Sequence, residues 1–235
     1  MTTIEDNLQA QRQRVALACQ TAGRDVTAVT LLAVSKTFGA DAVVEALAAG
    51  QRAFGENYIQ EGVDKILALR ASHPGVALAW HCIGPIQSNK TRLVAEHFDW
   101  VQSLDRLKIA QRLSDQRPEG LPPLQVCLQV NVDGGPNKSG VTPAELPALA
   151  ASVAALPRLR LRGLMCIPEP APDFEAQRAL FMRCKAVFDD LQRQVGPGVD
   201  TLSMGMSDDL EAAVAAGATM VRVGRGIFGA RPSSI

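Results

Sequence analysis

Aromatic side chains are scarce in this chain: seven Phe, two Trp and one Tyr among 235 residues. That is too few to supply rows of base-stacking platforms, and it leaves the core to aliphatic residues. An excess of either charge is also missing. With 24 basic against 24 acidic side chains, the chain does not read as a generally electropositive nucleic-acid binder. No apolar run approaches the ~20 residues of a membrane helix. The N-terminus, Met1 to Asn7, lacks both the basic and the apolar segment of a secretory signal. Cysteines number five (Cys19, Cys82, Cys127, Cys166, Cys184), are scattered, and form no C-x-x-C pair. This disfavours a disulfide scaffold or zinc site and suits buried free thiols in a reducing compartment. The expectation is a cytoplasmic protein without nucleic-acid or membrane partners. The N-x-S/T matches at Asn89 and Asn137 then mean nothing for glycosylation.

What the chain does contain is alternation. Residues 4–21 read as an amphipathic helix, and Val29 to Val34 is a short, continuously apolar, β-branched run of the kind covered on both faces of a sheet. A helix over 41–49 stops at Gly50. Further strands are expected near 52–54, 77–81, 99–103, 124–132, 160–165, 200–202 and 219–223. Helices are expected near 57–71, 87–97, 105–116, 143–156, 173–194 and 208–216. Eight strands alternating with helices predict an α/β fold with a parallel sheet. A single (β/α)8 TIM barrel over 1–235, with an extra N-terminal helix, is the economical arrangement; a doubly wound sheet has the same pattern.

In such a barrel, side chains at the C-terminal strand ends converge. Here those positions carry Ser35-Lys36-Thr37, Gly55-Glu56-Asn57-Tyr58, His81-Cys82-Ile83-Gly84, Ser103, Asn131 to Asp133, Ser203 to Ser207, and Arg222 to Gly226. Lys36 follows a buried strand and projects into the barrel mouth. Desolvation there disfavours the ammonium and makes the amine a nucleophile for a carbonyl. A snorkelling lysine is the competing reading. Lys90, at a helix start, and Lys138, in a Gly-Pro-Asn loop, are rivals. Gly224 to Gly229 matches G-x-G-x-x-G, but no acidic residue follows, so a dinucleotide site is ruled out. Glycines opening a helical turn after a late barrel strand still leave N–H groups for a phosphate, with Ser203 and Ser207 nearby as hydroxyl donors. Close packing at barrel closure is the plainer use of the same glycines. His81 reads as an acid–base candidate or a satisfied, partly buried side chain. Asp208, Asp209 and Glu211 read as the acidic first turn of a helix in preference to a metal cluster. Trp80 and Trp100 read as packing residues, His73 and His97 as surface residues, and segment 9–14 as a solvated helix face.

Several blocks together resemble one family. They are Leu31 to Thr37, Phe54 to Tyr58, Trp80-His81 with Ile83 to Lys90, Leu161 to Met165, Leu202 to Asp208, and Val221 to Gly224 with Ile227 to Gly229. In this order they resemble the pyridoxal phosphate homeostasis proteins, related to the barrel domain of bacterial alanine racemase. The resemblance implies a fold-type III barrel holding pyridoxal 5'-phosphate (PLP) as a Schiff base on Lys36. It also implies Arg222 facing the pyridine nitrogen, and phosphate around Ser203, Ser207 and Gly224. Asn57 and His81, inside the matched blocks, and Arg225 and Gly226 complete the set of cofactor-binding candidates. Arg225-Gly226 departs from the Thr-Ala of many members and puts a larger cation beside the phosphate. The implied role is a carrier or regulator of PLP, active in PLP and amino-acid homeostasis, with PLP-dependent apoenzymes as recipients. Strong catalysis is not expected, since the second domain that supplies a tyrosine in the racemase has no counterpart in these residues. The other readings are a small fold-type III racemase and, from another class, a Schiff-base aldolase on a phosphorylated sugar. Even charge and few aromatics leave no strong dimer patch, so a monomer is expected.

Overall fold

In the computed structural model, which describes residues 3–134 and 139–230, eight parallel strands close into a barrel in sequence order. They are β1 (Thr30–Val34), β2 (Ala53–Glu56), β3 (Ala79–Cys82), β4 (Trp100–Leu104), β5 (Leu124–Gln129), β6 (Leu159–Met165), β7 (Thr201–Ser203) and β8 (Met220–Val223). Helix α1 (Ile4–Thr21) precedes the first strand. Between successive strands run α2 (Ala40–Ala48), α3 (Ile59–Ser72), α4 (Thr91–His97), α5 (Leu107–Gln116), α6 (Leu146–Ala154), α7 (Phe174–Val195) and α8 (Leu210–Ala215), and the short α9 (Arg225–Phe228) follows β8. Of the two arrangements open to the sequence pattern, the chain takes the closed one: β1 pairs with β2 on one side and with β8 on the other, Leu32 lying in register with Arg222.

Local chemistry starts the elements where the pattern does. The Thr3 hydroxyl accepts from the Asp6 amide while the Asp6 carboxylate accepts from the Thr3 amide, a reciprocal cap for α1. Asp173 caps the 22-residue α7 through the Ala176 amide. The core is aliphatic, as the scarcity of aromatics requires, with Leu32, Ile66, Leu104, Leu113, Leu128 and Leu164 fully buried. Trp80 is buried against Phe54, and half-buried Trp100 stacks on His81 and lies under the Arg162 guanidinium. Among the described residues, no helix is long and apolar enough to cross a membrane.

Three sequence expectations are corrected. The helix expected over 87–97 begins as a separate 3-10 turn, Ser88–Lys90, in which the Lys90 amide donates to the Gln87 carbonyl, and α4 starts only at Thr91. Strand β5 ends at Gln129, not 132. Beyond it only Val130 bridges to Val141. Segment 9–14 is a solvated face only in part, at Gln9, Ala10 and Gln13. Arg12 donates to the Ala49 carbonyl, and Arg14 pairs with Glu211 and donates to the Ser207 carbonyl, so this side of α1 is docked on the barrel. Asn137 and Lys138 lie outside the described residues.

Gly163 in β6 sets a steric limit on the barrel wall. A Cβ there would stand 1.7 Å from the Thr201 carbonyl oxygen of β7, a backbone atom that cannot rotate away. Gly163→Ala is expected to destabilise the fold by ~3 kcal/mol or more, at the upper end of overpacking costs, read as a lowered urea midpoint.

Candidate functional site

At the C-terminal end of the barrel opens a cavity of about 600 Å³, within the usual range for small-molecule sites. Its wall is formed by Lys36 after β1, Asn57 after β2, Ser207 before α8, Arg222 of β8, and Gly224 and Arg225 at the start of α9. Six of the nine sequence candidates therefore meet around one space. The other three lie elsewhere. Ser203 is buried beneath Arg222, His81 is buried in the barrel interior, and Gly226 faces α1, where an added Cβ would lie 2.9 Å from the Gln11 side chain. Lys90 is not part of the cavity wall; it sits in the 3-10 turn.

Arg222 dominates the electrostatics. Its guanidinium donates to the Ser203 hydroxyl at 2.7 Å and to the Cys166 carbonyl at 3.0 Å, and among the described residues it forms no salt bridge. Burial pushes its pKa below the ordinary arginine value, yet a guanidinium stays protonated at neutral pH. The cavity floor thus carries a fixed positive charge held by neutral acceptors.

Below it runs a hydrogen-bond chain. The Ser203 hydroxyl accepts from Arg222 and donates to Gln102 Oε1 at 2.6 Å. The Gln102 amide nitrogen then donates to His81 Nδ1 at 2.9 Å, which requires that nitrogen to be unprotonated. Gln102 belongs to β4 and Ser203 to β7, so the contact spans the barrel interior. Full burial holds the His81 pKa down at about 3, which removes it as an acid–base group near neutrality.

The acidic trio is structural. Asp208 pairs with Arg225 at 2.6 Å, Asp209 accepts from the Met206 amide, and Glu211 pairs with Arg14. No cluster with the makings of a metal site is present among the described residues. Of the three, only Glu211 lies in the first turn of α8; Asp209 is its N-cap residue and Asp208 precedes the helix.

Helix α1 braces both loops on the α9 side of the cavity. Asn7 Nδ2 donates to the Ile227 carbonyl at 3.0 Å, and Arg14 holds the Ser207 carbonyl at 2.7 Å. As the first residues of a helix, Arg225 and Gly226 have N–H groups with no partner inside that helix. On the opposite wall, Asn57 Oδ1 is buried without a hydrogen-bond partner.

The residues that sequence reasoning missed are polar groups inside elements. Gln102 sits in the middle of buried β4, and Lys65 lies on the apolar face of α3 with Gly62, Ile66 and Leu69. The available signal was a polar residue at a core-facing position of a regular element.

The matching family model is described as "Alanine racemase, N-terminal domain" and covers residues 7–232. A Pseudomonas aeruginosa protein named pyridoxal phosphate homeostasis protein is 60% identical over 231 residues, covering 98% of this chain and 97% of its own length. The solved structure of PipY from Synechococcus elongatus with PLP bound is 38% identical with a TM-score of 0.82, covering 97% of this chain and 100% of that one. An alanine racemase from Corynebacterium glutamicum matches at 18% identity and a TM-score of 0.65, with 97% of this chain and 62% of that one covered, which is a likeness of fold alone.

The pKa of His81 has a consequence for stability. Its folded value lies below the ordinary 6.5, so between pH 6.5 and 3 the unfolded chain binds a proton that the folded chain refuses. The stability it contributes is complete above pH 6.5 and drains away as pH falls toward 3, by about 2 kcal/mol at pH 5. His81→Asn, which keeps an acceptor for Gln102, should lose less stability over this interval in urea titrations at pH 7 and pH 5.

Proposed function

Because the chain belongs to the alanine racemase N-terminal domain family, and within it to the pyridoxal phosphate homeostasis proteins, we propose that its barrel mouth holds PLP covalently on Lys36 and serves intracellular PLP homeostasis. The observation that carries this reading is the convergence of a lysine amine, a fixed guanidinium and a helix start on one cavity. When bound, PLP supplies an aldehyde that a lysine amine captures as a Schiff base.

The donor set suits each part of that molecule. Lys36, at the cavity wall, provides the amine. The amide of Arg225, the Ser207 hydroxyl and the Arg225 side chain provide donors for a phosphate, on a frame that Asn7 and Arg14 brace. Gly224 packs against Val34, where a Cβ would stand 3.1 Å from the Val34 carbonyl oxygen, so the turn lies close to the end of β1. Arg222, charged and fixed by Ser203, disfavours a proton on any ring nitrogen placed against it. Ser203 and His81 act through Arg222 and do not touch the cofactor themselves.

The same geometry argues against strong catalysis. A ring nitrogen kept neutral is a poor electron sink. Tyr58, the one tyrosine, is exposed and stands outside the cavity wall, and His81 is silenced by burial. The relatives are named as homeostasis proteins, not as enzymes. The reading extends to a monomeric, cytoplasmic carrier that gives PLP up to apoenzymes. Its exposed apolar side chains, Leu17, Val26, Leu67 and Phe174 among them, come from different elements of the chain.

Borohydride reduction of the PLP-treated chain followed by peptide mapping is expected to place the adduct on Lys36; an adduct confined to other lysines refutes the site. PLP at ~100 times its dissociation constant should stabilise the fold by roughly 2.7 kcal/mol, a rise in Tm of roughly 5–11 °C for a chain of this size. Exchange of the alanine α-proton in deuterated water should not exceed that of free PLP; a rate far above it would favour the racemase reading.

A further inference from the structure

Lys36 lies in a tight turn, Ser35 to Phe38, closed by the Phe38 amide donating to the Ser35 carbonyl at 3.1 Å. The next residue, Thr37, has φ +68°, and among the described residues it is the one non-glycine residue with positive φ. A β-branched side chain is disfavoured in this region, so something outside the turn must impose it.

Helix α3 does so. The Thr37 amide donates to Glu61 Oε1 at 2.6 Å, and the same oxygen accepts from Lys65 Nζ at 2.5 Å. Lys65 Nζ also donates to the Ser35 carbonyl at 2.7 Å and to Glu56 Oε1 at 2.9 Å, which uses all three ammonium protons. Glu56 Oε1 accepts in addition from the Ser35 hydroxyl at 2.5 Å. The Ser35 carbonyl belongs to the peptide group before Lys36 and the Thr37 amide to the peptide group after it. Both are gripped by charged side chains. Lys65 and Glu56 are almost wholly removed from solvent, and burial pushes the Glu56 pKa up. Buried ion pairs of this kind bring little net stability, which leaves geometry as their use.

We propose that Glu61 and Lys65 are positioning residues that hold the backbone on both sides of Lys36, and so set where its amine meets PLP. The proposal rests on the reading of Lys36 as the PLP-binding residue. It goes further in assigning that placement to α3, whose Glu61 and Lys65 stand outside the cavity wall.

Glu61 is partly exposed at the start of α3, so variants there should fold. The test measures PLP dissociation constants and, in the PLP-free chain, hydrogen exchange of the segment containing Thr37. Glu61→Ala is expected to weaken PLP binding about tenfold, or ~1.4 kcal/mol, and to speed exchange at Thr37. Glu61→Gln keeps the acceptor oxygen and should stay within ~threefold of the parent. In a Thr37→Gly background, where positive φ carries no steric cost, Glu61→Ala should cost less than ~threefold. Equal losses for Glu61→Ala and Glu61→Gln, or the same loss in both backgrounds, would mean that Glu61 only anchors α3 and would overturn the proposal. So would unchanged affinity in all variants while borohydride still maps PLP to Lys36. A parent chain whose Lys36 stays unmodified refutes the cofactor reading itself, and this proposal with it.

Discussion

Closure of the barrel is a pairing between strands almost two hundred positions apart, in which Leu32 of β1 lies opposite Arg222 of β8 and Ala33 opposite Val223. Every feature of the cavity descends from it. The turn bearing Lys36 leaves β1 where the glycine turn leaves β8, and Gly224 packs against Val34 so closely that its Cα hydrogen faces the neighbouring carbonyl. The same closure aims Arg222 inward, where its guanidinium donates to a serine hydroxyl and a backbone carbonyl. Helix α1 then lies across the seam, joined to α9 through Asn7 and to the loop before α8 through Arg14, so one helix ties the two segments together.

Charge is handled in two opposite ways on the two sides of the β1 turn. Inside the barrel a cation hydrogen-bonds to neutral groups, with the Asp209 carboxylate near enough to act on it through space, and the chain from Arg222 through Ser203 and Gln102 ends on a neutral imidazole. Outside the turn a buried ammonium is surrounded by two carboxylates and a carbonyl. The first arrangement leaves a cation at the cavity; the second sets one ammonium against two carboxylates and ties them to the turn by directional bonds. One suits recognition of an electron-rich ring and an anion, the other suits fixing a backbone.

Groups able to move protons are largely silenced by burial. His81 is held at about 3, and the Cys82 and Cys127 thiols are pushed up to about 12. On the proposed reading, a pocket with a lysine amine, a fixed cation and few proton carriers suits keeping a reactive aldehyde better than transforming an amino acid attached to it.

Strand and helix order were legible in the amino-acid sequence because continuous apolar runs and amphipathic stretches report burial directly, and the boundaries moved by only a few residues. Lys36, Arg222 and the glycine turn were legible because strand ends in a parallel barrel share one face. Gln102, Glu61 and Lys65 were not, since each gains its meaning from a partner on another element: Gln102 of β4 reaches Ser203 of β7, and Lys65 of α3 reaches the carbonyl of Ser35. Segment 9–14 looked solvated for the same reason, its arginines having no acceptors until α1 met the barrel. The periodic pattern of side chains was enough to determine the elements and the end of the barrel where chemistry gathers. Only the packed chain decided which polar groups face the cavity and which support it from behind, because hydrogen bonds act over about 3 Å and join residues that the covalent order keeps far apart.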